Sequence, residues 1–283
     1  LENRGFRVTF LPVDSKGKVD IEALKEALDE ETTFVSIMTA NNEIGTVQDI
    51  ETIGNIVKDY NKDIIFHTDA VQAFGKIPID IKAAKVDILS VSAHKLHGPK
   101  GIGFLYKRNG VNIPPYLYGG GQQSGQRSGT EPVFLIYGMS VAIDKAFEGN
   151  TAIIPVPKHM NNIYELREYF INGLKSMENV YINGYENAET DREKYFLPNI
   201  VSVTFDGVRA EVLLHALEEK GIYVSSSNKP GLSSVIQAIG VDKVKQDSNI
   251  RFSMDEHITK EDIDYVLDTL KEQVPFLRQF TRR

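Results

Sequence analysis

The sequence predicts an α/β fold, with a mostly parallel sheet in a large domain over residues 1–150 and a smaller C-terminal α/β domain over 151–283. Three observations lead to this prediction. Short β-rich segments alternate with amphipathic segments up to about residue 148, which is typical of βαβ units. The pattern changes after Gly149, and the remaining chain again combines helical and strand-like segments. The sequence contains no repeat and no low-complexity tract that would suggest another architecture.

Three segments of the first part have the composition of strands that are buried on both faces: 34–38, 64–66 and Ile88–Ser92. Between them, apolar residues recur at helical spacing behind a capping residue, first Asp20 and then Asp49. We expect these helices to be the crossover connections of a parallel sheet.

The second part begins with a helical stripe of apolar residues between Met160 and Phe170. Three segments then have strand composition: 199–205, 222–224 and Asn249–Ser253. The last helix is predicted to begin at Thr259, which stands three residues before Asp262 in the spacing of a capping box.

Composition narrows the functional classes. The net charge is −7 and the basic residues are scattered among acids, so we expect no nucleic-acid partner. No apolar run approaches the ~18–20 residues of a membrane span, and the first residues do not resemble a signal peptide. The chain has no cysteine, which excludes disulfides and thiolate metal sites, and we predict no metal site. We therefore predict a soluble, cytoplasmic protein.

The densest chemical signal is SVSAHKLHGPKG, residues 90–101, in which Ser92, His94 and Lys95 follow an apolar strand and precede a Gly-Pro turn. A lysine at the end of a buried strand is poorly solvated, and this favours the neutral amine that forms Schiff bases. The alternative is an ordinary surface lysine in a loop.

Two further motifs follow predicted strands. Asp69 and Gln72 lie at the carboxyl end of the strand 64–66, and Asn42 follows the strand 34–38. Ligands of open α/β sheets bind at such strand ends, where a carboxylate could keep a pyridinium nitrogen protonated and an amide could bond a ring hydroxyl. Asp69 could instead cap a helix, and Asn42 lies in a sequence that also suits a simple turn.

Two more segments complete the set of candidates. The glycine-rich run 118–130 could cradle an anion, with Ser128 and Thr130 as hydroxyl donors, or could be a plain loop. Arg251 stands in the strand-like sequence NIRFSM, where its planar fork suits a substrate carboxylate. A structural ion pair is the alternative for Arg251.

Together these motifs resemble the NifS/IscS-type cysteine desulfurases, which are fold-type I pyridoxal-phosphate (PLP) enzymes of the class V aminotransferase group. The resemblance covers nearly the whole chain and is most specific at HTDAVQ, SAHK, GPKG, RSGT and IRFS. It implies a large domain with a seven-stranded mixed sheet, a smaller C-terminal domain and a homodimer with active sites at the subunit boundary.

The resemblance also implies a role for each candidate residue. Lys95 would hold PLP as a Schiff base and shuttle protons, and Asp69 would pair with the pyridinium nitrogen. The residues implied to bind the remaining groups of the cofactor are Asn42 and Gln72 at the ring hydroxyl, and Ser92, His94 and, from the neighbouring subunit, Thr130 at the phosphate. Arg251 would bind the carboxylate of L-cysteine, together with Asn42. A protein cysteine would take the substrate sulfur as a persulfide for iron–sulfur cluster assembly, and alanine would be released.

The sequence departs from the family at two places. The stretch 223–240, which corresponds to the family's cysteine loop, has no cysteine and is several residues short. Either the nucleophile has been lost or a loop is missing from the sequence between about Ser225 and Asn228, and we expect the second. The N-terminal portion of the family's large domain, about a hundred residues, is also absent, and we expect an additional N-terminal segment to supply its strands.

Three functions are compatible with these observations. The first is a PLP-dependent cysteine desulfurase that mobilises sulfur for an acceptor protein. The second is another class V enzyme, such as a selenocysteine lyase or an aminotransferase-like protein. The third is a catalytically inactive homologue that serves as a dimeric partner in sulfur transfer or iron–sulfur cluster assembly.

Overall fold

The computed structural model describes residues 1–147, 160–186, 191–226 and 233–280. These residues form two compact units. One unit comprises residues 1–27, 40–48 and the described residues after 158, and the other comprises 28–39 and the described residues from 49 to 147. We call them the C-terminal unit and the central unit.

The central unit contains a four-stranded sheet in the order β1-β2-β3-β4. Its strands are β1 (Phe34–Ser36), β2 (Ile65–Asp69), β3 (Ile88–Ser92) and β4 (Gly103–Lys107). β1, β2 and β3 run parallel, whereas β4 pairs antiparallel with β3. The predicted α/β class with a mostly parallel sheet is therefore confirmed.

All three predicted strands of this unit are present, but the bounds of β2 and the length and burial of β1 differ from the prediction. β3 has the predicted bounds, whereas β2 extends three residues further, to Asp69. β1 is shorter than predicted and is not buried on both faces, because it is an edge strand and leaves Phe34 exposed.

The helices of the central unit are α2 (Ile50–Tyr60) and α3 (Val133–Phe147). Asp49 caps α2 as predicted, since its carboxylate accepts a hydrogen bond from the Thr52 amide at 3.0 Å. α2 packs closely on the turn before β3 at Gly54, where an added Cβ would lie 1.9 Å from the carbonyl oxygen of Ala84. Only glycine allows this approach.

The C-terminal unit contains a second, antiparallel sheet in the order β5-β6-β8-β7. Its strands are β5 (Val180–Asn183), β6 (Ile200–Phe205), β7 (Ser225–Ser226) and β8 (Asn249–Ser253). Its helices are α1 (Ile21–Ala27), α4 (Met160–Lys175), α5 (Ala210–Glu218), α6 (Ser234–Ala238) and α7 (Lys260–Arg278). The predicted capping box at Thr259 and Asp262 is present.

The prediction of a strand over 222–224 is wrong. The Ile222 amide donates to the carbonyl oxygen of Leu217 at 2.9 Å and so completes the end of α5, after Gly221 has turned the chain at φ 75°. Ile222 is buried as the apolar anchor of this helix end. The strand begins later, where Ser225 pairs with Arg251 of β8.

The segment 40–48 belongs to the C-terminal unit although the central unit surrounds it in sequence. Ile44 packs against Ile236 and Ile239, and Thr46 forms a β-bridge with Phe196. We predict two domains divided at residue 150, whereas the compact units place residues 1–27 and 40–48 together with the C-terminal residues.

No helix in the described ranges combines the length and apolarity required to cross a membrane.

Candidate active site

The candidate site in the central unit is built on the carboxyl ends of two parallel strands. In the register of β2 with β3, Asp69 lies opposite Ser90, and the Ala70 amide donates to the Ser90 carbonyl oxygen at 3.0 Å. The chain after β1 joins the same edge, because the Thr39 amide donates to the carbonyl oxygen of Asp69 at 2.8 Å. The predicted proximity of the two strand ends is therefore present.

Lys95 lies in a single 3₁₀ turn, Ala93–Leu96, which follows β3 directly. The turn is anchored by the buried side chains of Ala93 and Leu96, and the Gly98 amide closes it by donating to the carbonyl oxygen of Ala93 at 3.0 Å. Lys95 itself is half-buried. A fixed backbone with a half-buried amine differs from the alternative of a lysine on a surface loop.

Ser92 and His94 flank this turn and bond each other, with 2.7 Å between Ser92 Oγ and His94 Nδ1. The bond leaves the second ring nitrogen of the exposed His94 directed away from the hydroxyl. A hydroxyl and an imidazole held together beside Lys95 form a donor pair of the kind that binds a phosphate oxygen.

Asp69 is exposed and does not cap a helix, because the residues after it form turns. Its Oδ1 accepts the Val71 amide at 2.8 Å, which fixes the carboxylate at the strand end. Within the described ranges, no cation lies within ion-pair distance of this carboxylate. It is thus available to pair with a protonated ring nitrogen, and half-buried Gln72 lies in the turn that follows.

A hydrogen-bonded chain across three strands was not predicted from the sequence. Ser36 Oγ lies 2.8 Å from His67 Nδ1, and His67 Nε2 lies 2.8 Å from Ser90 Oγ. Burial lowers the pKa of His67, and the charge of Asp69 opposes that change. His67 and Asp69 are two apart on β2 and share a face of the sheet, so this period-two spacing was the signal available in the sequence.

A second amine accompanies Lys95. Burial and, to a smaller extent, the charge of Lys95 together lower the pKa of Lys76 to about 8. Lys76 ends the motif HTDAVQAFGK, but nothing in that motif indicated its electrostatic coupling to Lys95.

The candidate residues of the C-terminal unit are Arg251 and Asn42. Arg251 lies on β8, and its Nη1 donates to the backbone oxygen of Asn42 at 2.8 Å. Its Nη2 donates to Ser225 Oγ at 3.1 Å. Asn42 is exposed in the loop between Ala40 and Val47, rather than directly at the end of β1.

One atom of Arg251 is left unsatisfied. Its Nε is buried and has no hydrogen-bond partner in the described residues, and no carboxylate there forms an ion pair with the guanidinium. The described part of the chain therefore contains no structural ion pair of Arg251, which was the alternative to a ligand-binding role. A buried donor without a partner is costly, so a ligand acceptor at this guanidinium would lower the free energy.

The glycine-rich segment is held by its own hydrogen bonds. Ser128 Oγ donates to the Leu117 carbonyl oxygen at 3.0 Å, and Gln123 Nε2 donates to Glu131 Oε1 at 2.6 Å. Thr130 is exposed in this segment. These bonds order the loop and occupy the hydroxyl of Ser128, one of the two predicted anion donors, whereas the hydroxyl of Thr130 has no hydrogen bond in the described residues.

Comparison with known proteins identifies the family. The family model described as "Aminotransferase class-V" matches residues 1–266 of this chain. The chain belongs to the class V aminotransferase family. The parallel-rich sheet and the position of Lys95 directly after β3 agree with the fold-type I architecture of PLP enzymes.

Two curated members of the class V family illustrate the similarity. "Cysteine desulfurase IscS" of Dictyoglomus turgidum is 42% identical over 284 residues, which cover 98% of this chain and 68% of that protein. The protein of the same name from Methanosarcina thermophila is 42% identical over 286 residues, which cover 99% of this chain and 67% of that protein.

Solved structures of NifS-like proteins also superpose on this chain. A "NIFS-LIKE PROTEIN" superposes with a TM-score of 0.86 at 39% identity, over 98% of this chain and 70% of that one. A NifS-like protein from Rickettsia africae superposes with a TM-score of 0.82 at 33% identity, over 94% and 69% of the two chains.

The residues present fit the PLP that class V enzymes use. The central unit supplies an amine, an unpaired carboxylate and a hydroxyl–imidazole pair at one edge of its sheet. The C-terminal unit supplies a guanidinium with an orphaned buried donor. The donors of the central unit are of the kinds that a phosphorylated pyridine requires, and the guanidinium of the C-terminal unit is of the kind that a carboxylate requires.

Proposed function

We propose that the chain acts as a PLP-dependent cysteine desulfurase, converting L-cysteine to L-alanine and passing the sulfur to an acceptor. The observation that supports the proposal is the position of Lys95 in the turn directly after β3, while Asp69 ends β2, the adjacent parallel strand. Identity of about 40% to curated cysteine desulfurases over nearly the whole chain supports the substrate assignment.

Lys95 would bind the cofactor covalently and afterwards move a proton to and from the substrate carbon. The 3₁₀ turn fixes the direction in which its side chain leaves the backbone. When bound, PLP supplies an electron sink that stabilises negative charge at that carbon. The Lys95 residue is half-buried in this turn.

Asp69 would hold a proton on the ring nitrogen, which strengthens the electron sink. The Val71 amide keeps one carboxylate oxygen in place, and the other oxygen is available to the ring. Gln72 and Asn42 are proposed at the ring hydroxyl, and Ser92, His94 and Thr130 at the phosphate. Their roles rest on the family resemblance.

Arg251 would bind the carboxylate of L-cysteine. Asn42 and Ser225 hold the two terminal nitrogens of its guanidinium in a fixed plane. A guanidinium fixed in this way orients a carboxylate through two parallel hydrogen bonds.

The sulfur acceptor requires a thiolate, and the 283 residues contain no cysteine. We predict a missing loop between about Ser225 and Asn228, and of these positions 227 and 228 lie outside the described residues. We therefore propose that an acceptor thiol from another molecule takes the sulfur in any reaction of this chain, and a small thiol such as dithiothreitol can serve in an assay.

A homodimer is proposed on the exposed apolar face of α3. Val133, Phe134 and Tyr137 are 70%, 76% and 69% exposed, which is unusual for three neighbouring large apolar side chains. A second copy of this chain is the proposed occupant, because the family resemblance implies a dimer. Phe134→Glu should shift the sedimentation coefficient from dimer to monomer, while Tyr265→Glu, an exposed change on α7, should not.

The experiment for the catalytic proposal measures three signals on protein purified with added PLP: visible absorbance, alanine, and sulfide released from L-cysteine with dithiothreitol. We expect all three for the unchanged protein and none for Lys95→Ala. Lys145→Ala removes an exposed lysine on α3 and should leave all three unchanged. Absorbance without alanine or sulfide would contradict the desulfurase.

One observation favours a second candidate. The absence of cysteine is what a catalytically inactive homologue, acting as a dimeric partner in sulfur transfer, would show. That candidate predicts a dimer without absorbance, alanine or sulfide in the same assay.

A further inference from the structure

The central unit has a cleft at the end of its sheet opposite to Lys95. The cleft has a volume of about 540 Å³. Three segments surround it: the end of α2, the turn before β3, and the end of β4. β3 runs from this end to the Lys95 turn, so the two places are separated by the length of the strand, roughly 13 Å for five residues.

The cleft is strongly basic. Five cationic side chains line it, namely Lys58, Lys62, Lys82, Lys85 and Arg108, whereas Asp59 is the one acidic residue in its lining. Asp87 lies behind the wall with a fully buried carboxylate. Even with both acids counted, positive charge is in excess by three.

Three of the cations already have acidic partners. Asp87 pairs with Lys58 and, at 2.7 Å, with Nε of Arg108. Asp59 pairs with Lys85 at 2.9 Å. These pairs hold the wall of the cleft and leave one positive charge in excess, because Lys58 and Arg108 share the single carboxylate of Asp87.

Lys62 and Lys82 differ from the other three. Both are exposed, and neither ammonium group has an ion-pair or hydrogen-bond partner in the part of the chain that the structure describes. They approach the same cleft from two different segments. Two unpaired ammonium groups at one concave site attract a multiply charged anion.

The remaining lining is apolar or aromatic. Ile81 and Val86 of the turn and Tyr106 of β4 complete the wall. A cleft of this volume with an apolar wall and a few charged groups has the dimensions of a small-molecule site. An inorganic anion alone would leave the apolar wall uncovered, whereas a flat ring would cover it.

We infer that this cleft binds a phosphorylated small molecule with a flat ring system, of the nucleotide class. Lys62 and Lys82 bind its phosphate groups, and the half-buried side chains of Ile81 and Tyr106 contact its ring. The site is separate from the proposed PLP site, because it lies at the amino ends of β2 and β3 and uses none of the same residues.

The test is calorimetric titration of the full chain with ADP, in the presence of saturating PLP so that phosphate sites near Lys95 are occupied. We expect saturable binding. Lys62→Gln combined with Lys82→Gln should weaken the Kd at least about tenfold, because two charge-assisted hydrogen bonds are lost. Lys145→Gln with Lys243→Gln removes the same charge at exposed lysines outside the lining and should leave the Kd unchanged.

Ligand variants test the two halves of the inference. ADP should bind more tightly than inorganic pyrophosphate, which lacks the ring, and more tightly than adenosine, which lacks the phosphates. Equal Kd values for ADP and pyrophosphate would overturn the ring assignment. Equal Kd values in the cleft variant and the control variant, or no saturable binding at millimolar ADP, would overturn the site.

His94→Ala separates this inference from the proposed function. His94 lies at the other end of β3, so its loss should not change the Kd for ADP. A loss of ADP binding in His94→Ala, with the cleft variant unaffected, would place the nucleotide at the Lys95 end and overturn the inference.

Discussion

Asp69 and Ser90 are register partners in the parallel pairing of β2 with β3. The carboxylate at the end of one strand therefore lies beside the end of the strand that leads into the Lys95 turn. Residues more than twenty positions apart in sequence are placed by backbone hydrogen bonds rather than by flexible loops. The roles of the Asp69 and Lys95 side chains can therefore be tested one residue at a time.

Asp69→Asn should bind PLP but react slowly. The amide keeps the size of the side chain but cannot stabilise a protonated ring nitrogen, so kcat should fall about 100-fold or more. Steady-state kinetics with L-cysteine would measure this, with visible absorbance as the check on cofactor binding. Asp63→Asn, an exposed change, is the control. A kcat equal to that of the control would remove Asp69 from the proposed site.

Arg251→Lys should raise KM for L-cysteine by about tenfold or more while the visible absorbance is retained. Lysine keeps the charge but cannot bond Asn42, Ser225 and a carboxylate with one planar group. A larger effect on kcat than on KM would contradict the proposed role as the carboxylate-binding residue.

Asp87→Asn should destabilise the central unit by about 3 kcal/mol, because it leaves the buried Lys58 without its partner charge. Chemical denaturation would measure the change. Asp59→Asn breaks the exposed pair with Lys85 and should cost less than about 1 kcal/mol. Similar costs for the two variants would show that burial does not strengthen the Asp87 interactions.

The same carboxylate gives a pH dependence. Burial favours a higher pKa for Asp87, but hydrogen bonds from Lys58, the Phe66 amide and Arg108 outweigh it, and the pKa is lowered. A folded-state pKa below the unfolded value of about 3.9 gives stability that is present above that pH and is lost as the pH falls through the folded pKa. The stability difference between the unchanged protein and Asp87→Asn should therefore be constant near neutral pH and shrink below about pH 4.

Lys76 gives a second pH dependence, at alkaline pH, in which the stability of the unchanged protein again rises with pH. Its folded pKa of about 8 lies below the ordinary 10.5, so the folded state disfavours the charged form. Lys76→Met should therefore be more stable than the unchanged protein below about pH 8, when both are measured without PLP. The advantage should disappear as the pH rises from about 8 to 10.5. An advantage that is independent of pH would contradict the lowered pKa.

Local signals in the sequence predicted much of the central unit. The bounds of β3 and the caps at Asp49, Thr259 and Asp262 depend on neighbouring residues alone, and these predictions are confirmed. The strand predicted over 222–224 failed because β-branched composition does not reveal that Ile222 is needed to end α5.

Long-range placement was not accessible to the same reasoning. The segment around Ile44 packs with residues almost two hundred positions later, and no local pattern encodes that choice. The basic residues were interpreted as scattered among acids, but Lys58, Lys82 and Arg108 line one cleft because α2, a turn and β4 end at the same place. The coupling of Lys76 to Lys95 likewise depends on tertiary structure.

Chemical mapping of the modified lysine would identify the amine that holds PLP. The protein would be incubated with PLP, reduced with borohydride and digested, and the modified lysine identified by mass spectrometry. We predict modification of the peptide that contains Lys95. Modification at Lys76 instead, where the pKa of the amine is lowered to about 8, or no stable modification at all, would contradict it.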